Sequence, residues 1–77
     1  MKYMNVNKIE TEAERITIKL IEICSKNNSK SIIELFNELI DDNMKPKDME
    51  VLSLIPNILA RKGYDIINTN PLELKEY

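Results

Sequence analysis

The sequence predicts a mainly α-helical fold: one compact three-helix domain, its third helix kinked or broken at Pro56, closed by a short C-terminal β-hairpin or extended tail. Three observations predict it. Apolar residues recur at helical spacing in three segments ahead of Gly63. Polar or proline-containing breaks separate those segments. After Gly63, the single glycine among 77 residues, the period switches to alternation. A chain of this length makes one domain, 1–77, with 1–7 expected as a flexible N-terminal arm or short strand.

The first helix is expected over 8–26. Ile16, Ile18, Leu20, Ile21, Ile23 and Cys24 spread over roughly 220° of its circumference at 100° per residue. Arg15, Lys19, Glu22 and Lys26 hold the remaining polar stripe. A single neighbouring helix cannot cover an arc that wide, so this helix is either central or partly covered by another subunit.

Asn27, Asn28 and Ser29 make a polar break. Ser31 followed by Glu34 has the capping-box pattern, with Ser29 as the competing cap. The second helix then runs to about Asp42. Ile32, Ile33, Leu35, Phe36, Leu39 and Ile40 form its apolar side, while Asp41 and Asp42 oppose the dipole at its C-terminal end.

Pro46 suits the first position of a third helix over 46–62, with Asp48 and Glu50 in its first turn. Met49, Val51, Leu52, Ile55, Ile58 and Leu59 supply its buried side. Pro56 removes one internal hydrogen bond, hence the expected kink or break. Gly63 follows Arg61 and Lys62 where a left-handed residue ends a helix. Beyond it, Tyr64–Asn68 and Leu72–Lys75 flank the turn residues Thr69, Asn70 and Pro71, the pattern of a hairpin. The rivals are a single strand paired with Tyr3–Val6, or a tail laid over the first helix.

Eleven basic against 13 acidic groups leave a net charge of −2, so nothing attracts nucleic acid or anionic lipid in bulk. The charge alternates along the chain. Residues 43–63 carry Lys45, Lys47, Arg61 and Lys62 against Asp48 and Glu50, a local excess of two positive charges. No histidine is present and Cys24 is the only cysteine. That rules out Ser-His-Asp and Cys-His catalysis, imidazole metal ligands and an internal disulfide. One glycine is too few for a dinucleotide fingerprint or a P-loop.

Asp41-Asp42-Asn43 opens like a calcium loop, but Met44, Pro46 and the missing glycine break the ligand pattern. Glu10/Glu14 and Glu34/Glu38 fall on exposed faces, where nothing tunes a general acid. Cys24 reads as a small buried hydrophobe. No Asp-Ser-Leu site is present for an acyl carrier's prosthetic group. The expectation is a chain with no catalytic residue, cofactor or metal, in the cytoplasm and away from membranes. Its Ile, Asn and Lys usage suits an AT-rich phage or plasmid genome.

Two functional expectations remain. The first is a small regulatory or adaptor protein acting by protein–protein interaction, through self-association as a homodimer, docking on a larger protein, or both. Its candidate surface is Ile18 and Ile21 on the first helix with Leu54 at the edge of the third. The alternative is a winged helix-turn-helix DNA-binding regulator that reads with helix 46–62. Ser53, Asn57 and Arg61 would then lie on the DNA-facing side, with Asn57 and Arg61 alone reading base edges, and Lys45, Lys47 and Lys62 would touch the phosphates.

Overall fold

A computed structural model describes the backbone of residues 2–77 and the side chains of 8–77. It contains α1 (Lys2–Cys24), α2 (Ile32–Leu39), a 3-10 segment (Asp42–Lys47), α3 (Asp48–Arg61), β1 (Tyr64–Thr69) and β2 (Leu72–Glu76). The fold is the predicted one: three helices and a C-terminal antiparallel hairpin. Its boundaries differ from expectation in instructive places.

Helix α1 starts at Lys2, so the backbone is helical through 2–7, where an arm or short strand was expected. No glycine or proline interrupts that stretch, and the hairpin finds its partner strand elsewhere. The second helix ends at Leu39 rather than near Asp42. Ile40 turns to extended backbone (φ −67°, ψ 136°) while its N–H still donates to Phe36 C=O. The two aspartates thereby avoid the negative end of the helix. Asp41 instead caps the next segment, its carboxylate accepting the Asn43 N–H at 3.0 Å. Ser31 is the cap of α2, and the reciprocal bonds with Glu34 are both made at 3.1 Å.

Pro46 lies inside the 3-10 segment, so the α-helical part of the third helix begins at Asp48 rather than at Pro46. Helix α3 runs through Pro56 without a break. Pro56 itself is exposed, and its ring faces away from the core. Gly63 takes φ +90° and ends the helix, its N–H donating to Ala60 C=O at 3.1 Å.

The core lies where the three helices and the hairpin meet. Ala13, Ile16 and Leu20 come from α1, Leu35 and Phe36 from α2, and Val51, Ile55, Ile58 and Leu59 from α3. Met49, expected on the buried side of α3, is 72% exposed. It lies about 160° around the helix from Val51 and so points out of the packed face.

In the hairpin, Tyr64 pairs with Glu76, Ile66 with Leu74 and Thr69 with Leu72. A bulge between Ile66 and Asn68 turns Ile67 outward. Leu72, fully buried, anchors the hairpin to the loop between α1 and α2. Its N–H donates to Lys30 C=O at 2.9 Å. Its carbonyl accepts Asn28 Nδ2 at 3.0 Å and Cys24 Sγ at 3.5 Å.

Candidate functional site

Helices α1 and α3 pack side by side, and an open groove of ≈ 1100 Å³ runs between them. Ile18 and Leu54 supply its apolar floor. Glu10 and Glu14 rise from the α1 wall, and Asn57 and Arg61 from the α3 wall. Helical geometry explains the opening. Taking Ile16 as the centre of the buried face of α1, Cys24 lies about 80° from it, Ile21 about 140° and Ile18 about 200°. The other helices and the hairpin cover the nearer positions, and Ile18, at the far edge of the arc, stays 43% exposed. Leu54 is half-buried and occupies the matching edge of α3, next to Arg61 on the helical wheel.

Of the three apolar candidates, the groove therefore unites Ile18 and Leu54 and leaves out Ile21. Ile21 packs against the core and lines a separate small depression with Tyr64 and Leu74. The apolar arc of α1 is thus divided: the hairpin meets it as far as Ile21, and the groove exposes its edge at Ile18.

All six polar candidates on and around α3 are exposed. Asn57 and Arg61 belong to the groove. The lysines stand next to carboxylates: Lys45 Nζ lies 3.0 Å from Asp42, Lys47 Nζ 3.7 Å from Glu50, and Lys62 Nζ 3.4 Å from Glu14. Ser53 Oγ donates back to Glu50 C=O at 2.8 Å. The local positive excess of 43–63 is thus largely neutralised in place.

A polar cluster midway along α1 escaped the sequence reading. Glu12 is only 7% exposed. Its carboxylate accepts Arg15 Nε at 2.9 Å, Arg15 Nη2 at 2.6 Å and the Asp41 N–H at 2.7 Å. Arg15 Nη2 also donates to Leu39 C=O at 2.6 Å. Two charged side chains of α1 thus fasten the end of α2. The Arg15 hydrogen bond holds Glu12 below the ordinary carboxylate range, and the Asp41 N–H acts the same way, against the opposing pull of burial. The signal was present: Glu12 falls about 40° from Ile16, inside the apolar arc, with an arginine three residues on. Thr17, fully buried, lies in the same arc and satisfies its hydroxyl on Ala13 C=O at 2.7 Å.

Burial raises the Cys24 thiol above its usual range, and the negative charge of Glu73 adds to the shift. Among the described residues, no three His, Cys, Asp or Glu side chains are grouped to hold a metal ion, and no helix is long and apolar enough to cross a membrane.

Fold and groove together define a small helical domain, capped by a hairpin, with an open amphipathic groove between α1 and α3. Comparison with known proteins finds no matching family model, curated protein or solved structure.

Proposed function

We propose that this chain is a small cytoplasmic regulatory or adaptor protein that binds another protein chain in the groove between α1 and α3. One observation carries this reading: Ile18 and Leu54 line the same open groove at the solvent boundary, with polar groups on both walls. An apolar centre with a charged rim is the anatomy of a protein interface. The cluster lies on two helices that also supply the core, so it is rigidly presented. No catalytic step is assigned to any residue.

DNA binding through α3 has one feature in its favour. The hydrogen bond from Leu72 N–H to Lys30 C=O attaches the α1–α2 loop to the outer edge of β2, as the short first strand of a winged helix does. The charge distribution weighs against it. Lys45, Lys47 and Lys62 already face carboxylates, and the exposed hairpin carries Asp65, Glu73 and Glu76 against Lys75.

A photoreactive benzophenone side chain placed at Asn57 separates the two in cells. Irradiation should yield a protein adduct that disappears when Ile18→Glu is introduced in the same chain. Adducts to nucleic acid alone, or no adduct, would overturn the protein-binding reading.

A further inference from the structure

The two walls of the groove differ in charge. The α1 wall presents the carboxylate of Glu10 and that of Glu14, the latter shared with Lys62 at 3.4 Å, while the α3 wall presents Arg61. Arg15, also at the groove, is engaged by Glu12 and Leu39 C=O. Glu14 and Arg61 lie at the same level, because Lys62, the neighbour of Arg61, reaches Glu14 at 3.4 Å. Among the described residues Arg61 has no ion-pair partner within its own chain.

We infer that the occupant of the groove is a second copy of this chain, related by a two-fold axis running along the groove. This rests on the protein-binding function proposed above and names its partner. A two-fold axis in that direction exchanges left and right walls while keeping their height. The acidic α1 wall of one copy then lies over the basic α3 wall of the other, and the Ile18–Leu54 floors meet between them. A two-fold axis across the groove would instead set acid over acid. A groove with one acidic and one basic wall is complementary to its own two-fold copy, and the charge pattern selects the axis along the groove.

Sedimentation equilibrium of the purified chain, loaded from about 5 to 500 µM, tests this. The wild type should fit a monomer–dimer equilibrium. Arg61→Glu should weaken it at least about tenfold through like charges across the interface. Adding Glu10→Lys, Glu14→Lys and Lys62→Glu to that same chain exchanges both walls, keeps the ion pair between positions 14 and 62 in reversed sense, and should restore the dimer. Circular dichroism on each variant checks that the fold is kept. A monomeric wild type throughout the range, or a charge exchange that restores nothing, overturns the second-copy assignment. If the wild type is monomeric while the photoadduct at position 57 joins a different protein, only that assignment falls. If the adduct is absent as well, protein binding falls with it.

Discussion

Replacing Glu12 by alanine is the most informative single perturbation of this fold. The substitution deletes three accepted hydrogen bonds, two from Arg15 and one from the Asp41 N–H. Arg15 is 44% exposed at its side chain, so its ion pair is discounted for solvent to about 0.5–1 kcal/mol. The bond from the Asp41 N–H to a buried carboxylate contributes about 1.5 kcal/mol. Loss of the buried stem adds roughly 0.5–1 kcal/mol, and the better helix propensity of alanine returns a few tenths. The expected loss is about 2–3 kcal/mol, or a melting-temperature drop on the order of 10–15 °C for a domain this size.

Glu12→Gln keeps the shape and one oxygen acceptor, and should lose about half as much. Urea unfolding followed by far-ultraviolet circular dichroism at neutral pH measures both. The acid limb provides a second check. The folded-state pKa of Glu12 lies below its ordinary value of 4.5. Its contribution is therefore complete above the unfolded pKa and disappears as pH falls through the lower folded value. Wild type and Glu12→Gln should differ by a constant amount above about pH 5.5 and converge in strong acid. A loss under about 0.5 kcal/mol for the alanine variant, or a gap that widens in acid, would refute the account of this cluster.

Further outcomes follow from the same geometry. Gly63→Ala should cost about 1 kcal/mol by equilibrium unfolding, purely from the left-handed backbone, since an added Cβ meets nothing within 4 Å. Ser31→Ala should cost about 1 kcal/mol and speed hydrogen exchange at the Glu34 amide; Ser29→Ala should change neither. Ile21→Glu, beneath the hairpin, should destabilise by about 2–4 kcal/mol, whereas Ile18→Glu in the open groove should stay within about 0.5 kcal/mol; equal losses would contradict the division of the α1 arc. Cys24 should react with iodoacetamide at mildly alkaline pH more slowly than an unfolded control in urea, because burial raises its thiol pKa.

Much of this architecture was legible in the residues. Ile16, Leu20, Leu35, Phe36, Ile55 and Leu59 keep a 3.6-residue period that only helices satisfy, and Gly63 marks the exit from α3 without ambiguity. What escaped is non-local. The early end of α2 is fixed by Asp41, whose N–H reaches Glu12, 29 positions back. The absence of a break at Pro56 reflects burial of Val51, Ile55 and Leu59 on the packed face, where packing outweighs one missing hydrogen bond.

Ile18 and Leu54 could be picked as edge residues from spacing alone. Their meeting in one groove with Asn57 and Arg61 depends on how α1 and α3 cross, which no local pattern encodes. Ile21 lies apart from that groove for the complementary reason: its neighbours, Tyr64 and Leu74, arrive from the far end of the chain.

The way Leu72 is fastened bears on how the molecule comes apart. Its side chain fills the core while its amide and carbonyl bind Lys30 and Asn28, more than 40 positions earlier. Order in the closing segment and order in the first interhelical loop therefore rise and fall together. Cleavage within either one uncovers the flank of α1 at Cys24 and converts a local nick into the loss of the whole cooperative unit.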